Sequence, residues 1–254
     1  MLGTIGVVIA LALGEILPRT GVLSKYAFAP TSTVLRSLWD QMQTAEFWQA
    51  VRATMVGWAI GLGLSVVFGV TLGIVLGSSR WARAFTRPTI DTLRSLPGIG
   101  ILPLVVFIAG IGMTTKVTLI IFGAIWFFAF QTMYGVLGVD PVARDTVRSF
   151  GFGRFDQIRF LVLPSALPYV ATGLRLASSV GLVICVTVEL VSGSEGLGRS
   201  ILFAQSGGGI ERMWALIFAT GVLGVAVHLV FSQLEKRALS WHVSQRGRPG
   251  EERV

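Results

Sequence analysis

Residues 51–77 read VRATMVGWAIGLGLSVVFGVTLGIVLG, and after Arg52 at the start no charged side chain interrupts the run. Wound as a helix at 1.5 Å per residue, the stretch is roughly 40 Å long, more than the ~30 Å hydrocarbon core of a bilayer requires. Lipid offers no hydrogen-bond partner to backbone groups, so a crossing segment is a helix or part of a closed barrel, and this run is too long and too evenly apolar for a barrel strand. Gly57, Gly61, Ser65, Gly69, Gly73 and Gly77 recur at every fourth position. That spacing lays small side chains along one stripe, where another helix can approach closely. Packing is the first reading of the stripe, and a place in a substrate path the second.

Five further apolar runs occupy 2–17, 96–111, 117–137, 170–191 and 213–234, which predicts an all-α, polytopic membrane protein of about six transmembrane helices. The composition agrees: 254 residues are 53% hydrophobic and 13% charged, with a mean hydropathy of +0.73, more apolar surface than a soluble domain can expose. In the first run Ala10-Leu11-Ala12 resembles a signal-peptide cleavage site, but no basic region precedes it, and the run is read as a retained helix. Pro97 and Pro103 should bend or break the third run and free backbone groups, as suits a helix lining a cavity.

Arginines mark the loops. The stretch 78–95 carries Arg80, Arg83, Arg87 and Arg94, and 138–169 carries Arg144, Arg148, Arg154 and Arg159. The tail adds Lys236, Arg237, Arg246, Arg248 and Arg253. The positive-inside rule puts all three in the cytoplasm with both termini, and makes 96–111 and 117–137 a hairpin turned by Gly110, Gly112 and Lys116. The far side receives 18–50 and 192–212, too short for a receptor domain. The net charge of +8 is thus a matter of topology, and no recognition motif or long basic tract suggests nucleic acid. One cysteine, Cys185, cannot form an internal disulfide, and His228 and His242 make no metal cluster. Cys185 reads as a small apolar filler and His228 as a hydrogen-bonded packing residue.

The most informative loop, 140–164, reads DPVARDTVRSFGFGRFDQIRFLVLP. It predicts a short helix starting near Pro141, a break at Gly151 and Gly153, and a second apolar piece closed by Pro164 and Pro168. Phe150, Phe152 and Phe155 beside Arg148 and Arg154 would make an unfavourable solvated loop but a favourable interface, with a helix lying on lipid headgroups as the alternative.

This loop resembles the EAA motif of bacterial ABC-importer permeases, which runs Glu-Ala-Ala, three residues, Gly, nine residues, Ile, one residue, Leu-Pro. Here Asp145-Thr146-Val147, Gly151, Leu161 and Leu163-Pro164 stand at that spacing. Ala166-Leu167-Pro168, Gly173-Leu174-Arg175, Glu189 and Gly196-Leu197-Gly198 resemble the continuation found in the nitrate, sulfonate and taurine branch. Pro30 to Val34 with Phe47-Trp48, the run Gly69 to Leu76, Arg94 through Pro97, Pro103, and Gly110-Ile111-Gly112 look like the same branch. Asp145-Thr146-Val147 departs from Glu-Ala-Ala by keeping the carboxylate but placing β-branched residues where alanines usually stand.

The resemblance covers about 29–241. It implies a type I ABC-importer permease fold: one transmembrane domain over 1–254, with a core at about 47–241 and a coupling loop at 138–169. It also implies a bacterial inner-membrane location and partners: a cytoplasmic ATP-binding-cassette ATPase, a second permease subunit, expected to be identical, an extracytoplasmic substrate-binding protein and membrane lipid. No G-x-x-x-x-G-K-[ST] occurs in the chain, so no cofactor is expected in it, and ATP and Mg belong to the partner ATPase. Expected at the ATPase are Asp145, Arg148, Phe150, Gly151, Phe152, Arg154, Phe155, Leu163 and Pro164. Pro97, Pro103, Phe127, Phe128 and Glu189 are candidates for the translocation path or gate of a small organic or inorganic anion. Glu189 and Arg175 lie about 21 Å apart along one helix, so each needs its own partner. The rivals are an ion-coupled secondary transporter or channel, which calls for mid-membrane carboxylates or inverted repeats, and an intramembrane serine protease, for which no G-x-S-x-G turn is present.

Overall fold

The computed structural model describes residues 2–24 and 27–238, among which there is no strand. The basic tail with Arg246, Arg248 and Arg253, His242, and the far end of the expected core at 241 lie outside the described residues. In chain order the helices are α1 (Leu2–Arg19), α2 (Thr31–Met42), α3 (Ala45–Ser78), α4 (Arg80–Ser95) and α5 (Leu102–Ala109). They continue as α6 (Met113–Leu137), α7 (Pro141–Ser149), α8 (Arg154–Gln157), α9 (Leu163–Ser192), α10 (Leu197–Ser206) and α11 (Ile210–Ala238).

The Gly/Ser stripe of α3 decides the packing. A side chain added at Gly69 would meet the carbonyl of Ile125 at 2.8 Å and Phe128 at 2.5 Å, and one at Gly73 would meet the carbonyl of Ala129 at 2.6 Å. Gly61 lies against Ile120 and Gly77 against Val136, so α3 and α6 run parallel in step, backbone to backbone. On its other side α6 runs antiparallel to α9, with Gly135 against Ala166 and Gly173 against the carbonyl of Phe127 at 3.2 Å. Leu119, Ile120, Ala124 and Phe128 are fully buried between the two, and Trp58 closes the layer by donating from Nε1 to the Ser178 carbonyl at 2.9 Å. Val67, Phe68, Val183, Val225 and Leu229 point outward and exposed, the inside-out surface of a bundle solvated by lipid.

Among the described residues four helices are long and apolar enough to cross a bilayer: α3, α6, a continuous 39-residue helix over Arg154–Ser192, and α11 over Ile210–Arg237. The segment Arg80–Ser95 followed by Gly98–Ala109 makes a fifth if counted as one broken span, bent by 85°. The expected third crossing is thus corrected. α5 is about 12 Å long, Pro97 and Pro103 flank a single 3-10 turn at Gly98–Ile101, and the supposed loop 78–95 is helical. Ser79, extended at φ −122°, ends α3 and caps α4 by accepting from the Ala82 N–H at 3.1 Å. α1 is helical as its apolar run predicts. Near its end Glu15 accepts from the Ser32 N–H at 2.8 Å in the first turn of α2.

Two further expectations are revised. Pro164 and Pro168 do not close the piece after Gly153. The widened π turn at Ile158–Val162 leads into Pro164 in the first turn of α9, and the helix runs on through Pro168 to Ser192. His228 faces outward and makes no hydrogen bond among the described residues.

Candidate coupling surface and a buried clasp at the opposite end

α7 begins where the sequence says it should. Pro141 occupies its first turn and the Asp140 carboxylate caps it, accepting from the Val142 N–H at 2.8 Å. It ends at Gly151, whose φ of +78° is a left-handed conformation that glycine adopts without strain. There the Gly151 and Phe152 N–H groups donate to the carbonyls of Arg148 and Val147 at 2.9 and 3.2 Å. No residue of α7 or α8 is buried. Val142, Phe150 and Phe155 are 72%, 77% and 73% exposed, a concentration of apolar surface on a basic loop. Arg144 donates to the Val136 carbonyl at 3.1 Å and ties α7 to the end of α6.

All nine residues expected at the ATPase are exposed and fall on this one end of the molecule. Asp145 lies 4.0 Å from Arg148, an exposed pair of little energetic weight. Phe152 packs edge-on against Phe160, and the Gln157 amide donates to the Phe152 carbonyl at 2.9 Å, so the turn after Gly151 is fixed while Phe150 and Phe155 stay open.

The five path candidates do not gather around one cavity. Phe128 and Glu189 are completely buried, and Phe127 is half-buried against the core. Pro97 and Pro103 are exposed at the break before α5. Glu189 instead centres a polar clasp at the end opposite α7. Its Oε1 lies 2.7 Å from Lys116 Nζ, and its Oε2 accepts from Thr54 Oγ1 at 2.8 Å and the Gly198 N–H at 3.0 Å. Lys116 also donates to the Glu195 carbonyl at 2.7 Å, and the Leu197 N–H donates to Thr54 Oγ1 at 2.9 Å. Lys116 is 2% exposed and Glu189 0%. The carboxylate thus takes one free N–H at the start of α10, while Thr54 takes another, and the clasp joins four helices: α3 through Thr54, α6 through Lys116, α9 and α10.

This geometry explains Gly196-Leu197-Gly198. A side chain at Gly196, φ +147°, would collide with the Glu189 carboxylate, and one at Gly198 would meet the Leu190 N at 2.7 Å. Lys116 was expected in the hairpin turn; Gly110 and Gly112, at φ +74° and +156°, make the turn without it, and Lys116 sits inside α6. Its role was missed, although a lone cation in an apolar helix demands an anion. Cys185 is buried with Sγ 3.5 Å from the Thr54 carbonyl. Arg175 finds the Glu235 carboxylate of α11 at 2.9 Å.

Residues 65–240 match the family described as the binding-protein-dependent transport system inner membrane component. The chain belongs to this family. It is the permease component of an ABC importer and a multi-pass protein of the inner membrane. The permease is 31% identical to the taurine transport system permease protein TauC of Escherichia coli K12, over 78% of this chain and 72% of that protein. The putative aliphatic sulfonates transport permease protein SsuC of Bacillus subtilis is 26% identical over 94% and 87%, and the nitrate import permease protein NrtB of Leptolyngbya laminosa 25% over 76% and 69%. Solved structures share the fold. A bacterial alginate importer superposes with a TM-score of 0.67 at 12% identity, over 93% of this permease and 95% of that chain. The inward-facing methionine transporter MetNI gives 0.61 at 18%, over 81% and 96%.

Proposed function

We propose that the permease carries a small sulfonate or inorganic oxyanion inward as one half of a symmetric pair, driven by ATPase subunits gripping α7 and α8. The observation that carries this reading is the exposed apolar and basic surface from Val142 to Phe155, turned by Gly151 and left without a partner in its own bundle. An aromatic knob such as Phe155 fits a cleft on a soluble partner better than it fits water. ATP and Mg act on that partner, and this chain holds no cofactor. The substrate class is taken from relatives named for taurine, aliphatic sulfonates and nitrate, with selection by a binding protein on the far side. Both termini and α7 are then cytoplasmic, as the arginine distribution supports.

The mechanical consequence follows from the continuous helix. A push on α8 travels along Arg154–Ser192, about 58 Å of rod, to the Glu189 clasp at the other end, so closure of two ATPases rotates the core as a body. The ion-coupled alternative gains nothing from Glu189, whose charge is already neutralised by Lys116 in a sealed site. Co-purification of the permease with its cognate ATPase, and uptake of labelled taurine, an alkanesulfonate and nitrate by cells carrying the full set, test the proposal. ATPase association with uptake of one of these anions supports it. Absence of any associated ATPase, or uptake that persists when the ATPase cannot hydrolyse ATP, overturns it.

A further inference from the structure

The parallel pair α3 and α6 ends on two matched arginine contacts. Gly77, in the last turn of α3, packs against Val136 in the last turn of α6. Two helix C-termini therefore stand side by side, where last-turn carbonyls lack a partner further along the helix and the dipoles concentrate negative charge. A guanidinium meets each of them. Arg83 of α4 donates to the Leu76 carbonyl at 2.8 Å and the Gly77 carbonyl at 3.5 Å, and Arg144 of α7 donates to the Val136 carbonyl at 3.1 Å. Capping accounts for Arg83. Arg144 does more, because of the helix that carries it. No residue of α7 is buried, and its other polar side chains bond within it: Asp140 with the Val142 N–H, Thr146 with the Val142 carbonyl, Ser149 with the Asp145 carbonyl, and Arg148 with Asp145. Among the described residues, Arg144 makes the one side-chain hydrogen bond from α7 to a transmembrane helix. It is half-buried, whereas Val142, two residues away and so across the helix, is 72% exposed.

We propose that Arg144 is a positioning residue of the coupling step, a strut that fixes the angle between α7 and α6. Without it α7 hangs from its chain ends, the stretch Gly138 to Asp140 on one side and Gly151, at φ +78°, on the other. Two such ends are pivots, and a third attachment makes the joint rigid. Load entering α7 then divides: one branch turns through Gly151 into the long helix over Arg154–Ser192, and the other passes through the guanidinium straight to the end of α6. Because α6 is interlocked with α3 at Gly69 and Gly73, the second branch moves both helices. The inference rests on the reading of α7 and α8 as the ATPase handle, and it goes past that reading by assigning transmission to a residue outside the docking surface.

The test uses the permease assembled with its ATPase in nanodiscs, spin-labelled through Phe203→Cys in α10 at the far end, a position 59% exposed, while Cys185 is fully buried. Pulsed electron paramagnetic resonance measures the distance between the two labels of a pair, without nucleotide and with ATP trapped by vanadate. ATP should shift that distance in the otherwise unaltered complex. R144M, which keeps the length and loses the donor, should still hold the ATPase, but the ATP-driven equilibrium shift should fall about tenfold, as expected for one hydrogen bond to a charged group. R144K, whose ammonium still donates to a carbonyl, should recover most of it. R83M removes the matching cap from α3 and should leave the shift intact, with a thermal unfolding temperature close to that of R144M. A full shift in R144M, an equal loss in R83M, or release of the ATPase by R144M would overturn the proposal, the last by placing Arg144 in the docking surface. Failure of the parent complex to bind the ATPase or to respond to ATP would instead remove the handle reading, and the strut with it, before any arginine is changed.

Discussion

Replacing Lys116 with Met should destabilise the permease more than almost any other single change in it. The Glu189 carboxylate is wholly buried and has one cationic partner, at 2.7 Å. With Lys116 removed it keeps the Thr54 hydroxyl and the Gly198 N–H, with the Cys185 thiol at 3.6 Å, neutral donors around a full charge. Breaking such a pair on one side costs about 3–5 kcal/mol. Glu189→Gln strands the ammonium, which then holds the Glu195 carbonyl and an amide oxygen, and a loss in the same range is expected. The double variant removes both charges while the Gln oxygen still accepts from Thr54 and Gly198, so its deficit should fall to about 1–2 kcal/mol. The sum of the singles should then exceed the double by about 3 kcal/mol or more. Unfolding of the purified chain by sodium dodecyl sulfate titrated into dodecyl maltoside micelles, followed by far-ultraviolet circular dichroism, measures all four proteins. Additive losses, or singles that each cost less than about 1 kcal/mol, would refute the dry clasp and indicate that water reaches the pair.

Three other changes probe the rest of the chain. Gly151→Val forces a β-branched residue to φ +78° at a point with no neighbour within 4 Å, so the helices should survive while ATP-driven uptake falls at least tenfold, measured alongside ATP hydrolysis by the assembled complex. Phe155→Asp puts a charge on a side chain 73% exposed, and it should abolish co-purification of the ATPase while thermal unfolding of the isolated permease stays within about 2 °C of wild type, the small shift expected of a surface change. Gly73→Leu drives a side chain into the Ala129 backbone and should cost about 3 kcal/mol or more, seen in the same detergent titration as loss of the α3–α6 contact.

The apolar runs were legible because a bilayer demands length and uniformity, and α3, α6 and α9 satisfy that demand from local sequence alone. The stripe from Gly57 to Gly77 announced a close helix contact without naming α6 as the partner, because periodicity identifies a face and not what covers it. The third run misled for a related reason. Pro97 and Pro103 announced a bend or break but not its size, 85° between Arg80–Ser95 and Gly98–Ala109, and the arginines of 80–94 were read as loop charge although their spacing is helical. Pro164 and Pro168 looked like terminators, but Pro164 stands in the first turn of α9, after the π turn at Ile158–Val162, and the helix runs on through Pro168. The nine residues expected at the ATPase all stand exposed at one end of the molecule, since exposure follows from their place in or beside the loop. The clasp was not legible, because Thr54, Lys116 and Glu189 belong to three different helices and only tertiary structure brings them together.

The packing also decides where the subunit can move. Between α3 and α6 the virtual side chains at Gly69 and Gly73 already touch backbone, which leaves no slack for one helix to slide past the other. Between α6 and α9 the same holds at Gly135 and Gly173, and at the far end Glu189 pins all three to α10. The joints are elsewhere, at the single extended residue Ser79, at the break around Pro97, and at Gly151. Each lies where α4, α5 or α7 leaves the core. A load applied to α7 therefore cannot be dissipated by shear inside α3, α6 and α9; it turns them together, and the small-residue stripe that first marked residues 57–77 as a packing surface is what makes the permease stiff enough to be driven.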